Sequence, residues 1–245
     1  LMTIRPYVST MRDTTESVIL AAPRAADHPL LKEPEWPREK PKRIGLIVIS
    51  GDRGLCGSYN SNLLRQLVSF LSSVKDEVHI FVLGRKATRF LIRQNIERVT
   101  PLQLSPNPTY KELKLLFESL VLRFEKEDFF SIYITYTKFI STSRHQAVTE
   151  KLLPLKGVSP GTEQTGPPII FEPSPAEVLD DLLPELVITL IYQAYLESQT
   201  SEHAARMIAM QAAGKNATEM IDRLTLSFNK ARQTAITKEL LEVVS

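Results

Sequence analysis

Hydrophobic positions follow three rhythms along this chain. At the N-terminal end, Ile4, Val8, Met11, Thr15 and Val18 recur at spacings that alternate between four and three. That is the seam of a coiled-coil helix over residues 1–22. Pro6 lies within it, tolerable in a first turn but a kink for any helix continuing upstream. The opening Leu1-Met2 is already in helical register, which reads as the tail of a longer helix. Residues 21–43 then become polar and carry Pro23, Pro29, Pro34, Pro37 and Pro41, the composition of an extended linker.

From residue 44 the rhythm changes. Ile44-Gly45-Leu46-Ile47-Val48-Ile49 is a continuous apolar run, the mark of a strand covered on both faces. A glycine-punctuated turn follows at 50–57. An amphipathic helix is predicted over 60–74, with Leu63, Leu64, Leu67, Val68 and Leu71 on one side. The pattern then predicts a strand at 78–83, helices at 85–94 and 110–125, and a strand at 130–136. Residues 157–168 read as a loop. Strands alternating with helices imply right-handed crossovers and a mostly parallel sheet, a Rossmann-like three-layer α/β domain over 44–171.

The third rhythm spans 172–245. Ser174-Pro175-Ala176-Glu177 combines an N-cap serine, proline at the first helical position and a capping-box glutamate. Pro184 is expected to kink or restart the helix, and Gly214 to cost about 1 kcal/mol relative to alanine. A helix over 185–245 would reach roughly 90 Å, too long to bury against one small domain. Ala217, Ile221, Leu224, Phe228, Ala231 and Ala235 again step by four and three. Coiled-coil segments at both ends of one chain (1–43 with its linker, and 172–245) predict an antiparallel pair, a shaft beside the α/β domain.

Composition narrows the function classes. Net charge is +2, without the clustered basic face of a nucleic-acid binder. No run approaches the length of a spanning helix, and the charged start is no signal peptide. Cys56 is the single cysteine, so no internal disulfide forms.

Candidate chemistry is sparse. Gly51-Asp52-Arg53-Gly54-Leu55-Cys56-Gly57 follows a strand and opens a helix, where amides and the helix dipole favour anions. Its spacing fits neither the dinucleotide fingerprint nor a P-loop, so it reads as a tight turn or a contact surface. Cys56 at a helix N-terminus would need a histidine base to act as a nucleophile. His28 in the linker, His79 in a strand, His145 in a loop and His203 on the long helix supply no motif with it. No cluster has metal-ligand spacing, so neither catalytic residues, a metal nor a cofactor is expected. Asp180 with Asp181, and Glu125, Glu127 and Asp128, read as solvated helix charges. Asn229 to Glu239 mixes alanines with Arg, Gln and Thr, either a solvated coiled-coil exterior or a polar surface for another protein. Two readings therefore stand, a scaffolding or mechanical subunit and an α/β ligand-binding or catalytic domain with helical oligomerisation extensions.

The sequence resembles gamma subunits of F-type ATP synthases. Three blocks carry the likeness: the glycine turn with Asn60 behind it, Ser201-Glu-His-Ala-Ala-Arg-Met-Ile-Ala-Met210, and Asn229-Lys-Ala-Arg-Gln-Thr-Ala-Ile-Thr-Lys-Glu-Leu240. The Phe171-Glu-Pro-Ser-Pro175 segment also fits. The resemblance implies the rotor of a rotary motor, an antiparallel coiled coil inside a ring of alternating alpha and beta subunits. It implies an α/β domain beside the epsilon subunit and the membrane ring of c subunits, with ATP made or hydrolysed on beta. It further implies a peripheral position on the inner face of a membrane, by this reading a bacterial cytoplasmic membrane. Against the family pattern, the N-terminal helix is short and the extreme C-terminus is cut back. Between Tyr136 and Phe171 there is neither the extra segment nor the cysteine pair of photosynthetic gamma subunits. By resemblance, Arg232, Gln233, Thr237 and Glu239 engage the catalytic ring. Their spacing stacks Arg232 on Glu239 and Gln233 on Thr237, two stripes expected to flank the apolar seam at Ala231 and Ala235.

Overall fold

A computed structural model describes residues 3–21, 28–37, 39, 41–105, 108–155 and 174–244. The expected loop at 157–168 and the Phe171–Pro173 part of the capped segment lie outside the described residues.

The described residues form five α-helices and five strands: α1 (Ile4–Ala21), β1 (Arg43–Ile49), α2 (Tyr59–Ser73), β2 (Glu77–Leu83), α3 (Arg85–Arg93), β3 (Val99–Leu102), α4 (Tyr110–Glu125), β4 (Ser131–Ser141), β5 (Arg144–Leu153) and α5 (Pro175–Val244). The strands form one sheet in the order β3-β2-β1-β4-β5. β1 is parallel to β2 and β4, β2 is parallel to β3, and β5 returns antiparallel to β4.

Alternation along β1 divides the core. Leu46 and Val48 point to one face, against Leu67 of α2 and Ala87 and Leu91 of α3. Ile47 and Ile49 point to the other, where Phe117, Leu120 and Phe124 of α4 meet Leu183, Val187 and Ile191 of α5. The expected three-layer, mostly parallel architecture is therefore present, with both faces of the central strand buried as its unbroken apolar run requires.

Two strands were not expected. β3 is a four-residue edge strand containing Pro101, a residue edges tolerate because one side of the backbone needs no partner. β5 forms the other edge and has a mixed, weakly alternating pattern; it places His145 in a strand and not in the expected loop. The linker also differs from its extended reading. Pro29–Leu31 is a 3₁₀ turn capped by the His28 side chain, and Leu30 is fully buried, its carbonyl accepting from Leu155 N–H at 2.8 Å.

The shaft is largely as expected. Val8, Met11, Thr15 and Val18 of α1 are buried, with Ile4 half-buried. Arg5 pairs with Glu197 at 3.1 Å, whereas Tyr7 and Met11 line a groove with Val178, Asp181 and Glu185. Higher numbers on α1 thus meet lower numbers on α5, an antiparallel pair. Ser174 and Glu177 form the expected cap, Ser174 Oγ accepting from Glu177 N–H at 3.3 Å. Of the two outcomes expected at Pro184, a kink or a restart, the restart does not occur: α5 runs through it for 70 residues, roughly 105 Å at 1.5 Å per residue. Leu183, Leu186, Val187 and Ile188 around the proline are all buried. Packing of these flanks outweighs the one helical hydrogen bond that the ring removes.

Candidate functional site

β1 is the first strand laid down, and the chain then builds outward from it on both sides. In open α/β sheets the crevice beyond the strand ends at such a reversal is where ligands bind. Here α5 lies across it. Pairing of β1 with β4 ends at Val48 and Thr135, but β4 continues to Ser141. Beyond that point Thr137 N–H donates to Ser198 Oγ at 3.1 Å, and Ser201 Oγ donates to the Thr137 carbonyl at 3.3 Å. Phe139 N–H donates to Glu197 Oε2 at 3.1 Å.

The glycine turn packs on the same stretch of helix. Cys56 and Tyr59 form a small buried cluster with Ala205. The Tyr59 hydroxyl donates to the Ser198 carbonyl at 3.1 Å. Burial, reinforced by the Glu202 charge, pushes this phenol well above its usual range, so it remains a neutral donor. Glu202 is buried, paired with Arg206 and set against Gly51. Two of the three blocks that carry the family resemblance are thus two halves of one contact.

The first amides of the neighbouring helix α3 are already engaged. At the start of α3, Arg85 N–H donates to Asp52 Oδ1 at 2.9 Å, Lys86 N–H to the Gly51 carbonyl at 3.1 Å and Ala87 N–H to Ser50 Oγ at 3.1 Å. Asp52 therefore occupies the place an anion would take. The adjoining cleft, about 500 Å³, is lined by Asp52, Arg85, Gln103, Tyr195 and Gln199 among others; burial raises the Tyr195 phenol to about 12. Cys56 Sγ accepts from Asn60 Nδ2 at 3.1 Å and is buried, while His28, His79 and His203 lie on other elements. His145 reaches the cluster only as a ring 6.5 Å from Tyr59. Among the described residues no group of His, Cys, Asp or Glu could hold a metal.

Past Arg206 the helix leaves the domain. Residues 211–242 are exposed throughout, including the seam residues Ile221, Leu224 and Phe228. Arg232, Gln233, Thr237 and Glu239 all lie in this segment and are exposed. Thr237 Oγ1 donates to the Gln233 carbonyl at 2.9 Å, so the two share one stripe as expected. The expected flanking of the seam holds only in part. At 100° per residue on a continuous helix, Arg232 and Glu239 lie roughly 40–60° from the seam's centre, but Gln233 and Thr237 lie roughly 160° away. Gln233 and Thr237 are back-to-back with the seam, and only Arg232 and Glu239 border it.

Sequence reasoning met Ser201 only as the first residue of a resemblance block and did not find Glu197 and Ser198. Their signal is small or polar residues at positions that continue the buried face of Val187, Ile191 and Ala194.

The comparisons with known proteins agree with this geometry. A family model described as "ATP synthase" matches residues 1–245. The chain is 40% identical over 250 residues to the ATP synthase gamma chain of Brevibacillus brevis, covering 98% of this chain and 83% of that one. It is 36% identical over 245 residues to the ATP synthase gamma chain of Pelotomaculum thermopropionicum, covering 100% of this chain and 84% of that one. In fold it is similar to a chain of the Euglena gracilis mitochondrial ATP synthase rotor, with TM-score 0.60 and 15% identity over 96% of this chain and 93% of that one. A shaft of this length, an α/β domain clamped to its lower half and matches of this extent have one common reading: the chain belongs to the gamma-chain family of F-type ATP synthases, the central-stalk subunits of those complexes.

Proposed function

We propose that this chain acts as a rotor and carries no catalytic site of its own, with ATP made or hydrolysed on the beta subunits. The observation that carries the reading is the segment 211–242 of α5, exposed on every side and extending roughly 48 Å at 1.5 Å per residue. A helix so far from its own core is held by surroundings that other chains supply. A ring of alternating alpha and beta subunits around it meets Gln233 and Thr237 on one side and Arg232 and Glu239 on another.

The chemistry of that face suits a contact made and broken at each step. An amide and a hydroxyl exchange partners readily, and Arg232 pairs with successive carboxylates. Net worth of about 1 kcal/mol per hydrogen bond biases a neighbour's conformation without locking it. The rotor then works as a ligand with different affinity for the states of each beta subunit, presented to each in turn.

The α/β domain lies at the other end of the shaft, beside the epsilon subunit and the c-subunit ring, on the inner face of the membrane. No described helix is long and apolar enough to cross a membrane, in keeping with a peripheral place. The competing reading, a ligand-binding α/β domain, is disfavoured because α5 lies across part of the sheet-end crevice and Asp52 caps α3.

The test is reconstitution with alpha and beta subunits. Gln233→Ala or Thr237→Ala should weaken coupled synthesis or hydrolysis severalfold while the chain stays folded and incorporated. The double replacement should cost more than either, without simple additivity. Assembled complexes carrying both alanines at wild-type turnover and coupling would refute the assignment.

A further inference from the structure

The upper end of β4 has an edge that no strand covers. β1 stops pairing at Val48, while β5 continues along the far side of β4 to Ser141. On the open edge, each main-chain group of Thr137 and Phe139 is met by a helix side chain. Thr137 N–H donates to Ser198 and its carbonyl accepts from Ser201. Phe139 N–H donates to Glu197 and its carbonyl accepts from Arg5 of α1. Arg5 and Gln193 also hold the Glu197 carboxylate, at 3.1 and 3.0 Å. Glu197, Ser198 and Ser201 are at most 2% exposed. Side chains of two helices thus replace a missing strand.

This clasp differs in kind from the contacts below it. Between Leu183 and Ala194, α5 is held mainly by apolar side chains, whose attraction is non-directional and resists separation more than twisting. Hydrogen bonds to fixed backbone groups are directional. The clasp lies close to where the helix leaves the domain: only the glycine-turn contacts of Glu202 and Ala205 follow it, and exposure begins just past Arg206. A twist applied to the free part of α5 is resisted by the clasp together with those contacts.

We propose that Arg5, Glu197, Ser198 and Ser201 form the torque-bearing joint of the central stalk, fixing the rotational angle of α5 relative to the α/β domain. They are positioning residues, and the proposal rests on the rotor reading above. The test uses the whole membrane-bound complex with Ser198→Ala and Ser201→Ala combined. One measurement is protons pumped per ATP hydrolysed. A second is the spread of distance between spin labels at Glu118 on α4 and Lys230 on α5.

The joint predicts that hydrolysis stays within twofold of wild type while pumping per ATP falls severalfold and the distance distribution broadens. A purely structural role lowers the yield of complex but leaves that ratio and that distribution unchanged, and this result overturns the joint. If the double variant does not assemble, Ser201→Ala alone, which removes one hydroxyl and no charge, is read in the same way. A wild-type complex whose α/β domain stays still during hydrolysis overturns the rotor reading and the joint together. A rotating wild type with an indistinguishable variant overturns the joint alone.

Discussion

Gly51 and Glu202 meet with no room between them: a Cβ built on Gly51 would lie 3.0 Å from the Glu202 carboxylate and 3.1 Å from Asn60 Oδ1. The turn that follows β1 is thereby fitted to one stretch of α5. Gly84 is tighter, since its Cβ would fall 2.1 Å from the Ser50 carbonyl oxygen, and its φ is +99°. Gly51→Ala should cost about 1–3 kcal/mol through overpacking that side chains partly absorb. Gly84→Ala should cost more, because backbone cannot yield as a carboxylate does and the left-handed region disfavours a side chain. Urea unfolding of the two variants measures this. A Gly84→Ala protein more stable than Gly51→Ala would contradict the packing described.

Histidines set the response to mild acid. Burial holds His28 below its usual value of 6.5, against the opposing pull of Asp180 and Glu125. Burial likewise lowers His79, with Arg123 and Arg43 adding to it. Below pH 6.5 the unfolded chain therefore binds more protons at these sites than the folded one. Their contribution to stability is fully present above the unfolded value and is lost as pH falls through the folded values. The lowered carboxylates Glu33, Glu112 and Glu185 lose their contribution only below 4.5. Unfolding midpoints should drop between about pH 7.5 and about pH 5.5, and His28→Gln with His79→Gln should flatten that drop. An equal drop in the double variant would point to other groups.

Exposure along α5 predicts uneven protection. Ile221, Leu224 and Phe228 are each more than 60% exposed, whereas Leu186, Val187 and Ile191 are buried. In the isolated chain at low concentration, amides of 217–240 should exchange much faster than those of 183–205. At higher concentration the apolar stripe should draw copies together. Uniformly slow exchange along 217–240 in a monomer would contradict this.

Much of this architecture was legible because burial on both faces leaves an unmistakable trace. The apolar run of β1 and the cap of α5 marked their elements, and α4 (Tyr110–Glu125) falls where its pattern put it. The two edge strands were not legible. Pro101 disguised β3, and β5 joins β4 without a glycine turn, its residues half-buried in no strict alternation. The joint was hidden for a different reason. Ser198 and Ser201 look like ordinary helix-surface residues until the end of β1 leaves one edge of Thr137 without a strand, a fact of register and not of local sequence. The orientation of Gln233 and Thr237 was open to calculation from helix geometry, yet their nearness in sequence to Ala231 and Ala235 obscured it.

Cys56 tests whether the glycine turn has chemical duty. Its thiol is buried, donating to the Arg53 carbonyl and accepting from Asn60. Cys56→Ser should leave ATP hydrolysis by the assembled complex within a small factor of wild type. A loss beyond about 100-fold, nearly 3 kcal/mol in barrier terms, would require a direct role.

The central claim is that the chain turns as one body within a ring of partners. The most direct measurement fixes a ring of alpha and beta subunits to a surface with this chain as its shaft. A probe attached to the exposed Glu118 on α4 is followed while ATP is supplied. Stepwise rotation of the probe in one direction, dependent on hydrolysis and absent without this chain, is the expected result. Steady hydrolysis with a stationary probe would contradict it, as would specific nucleotide binding by the isolated chain at the Gly51–Gly57 turn.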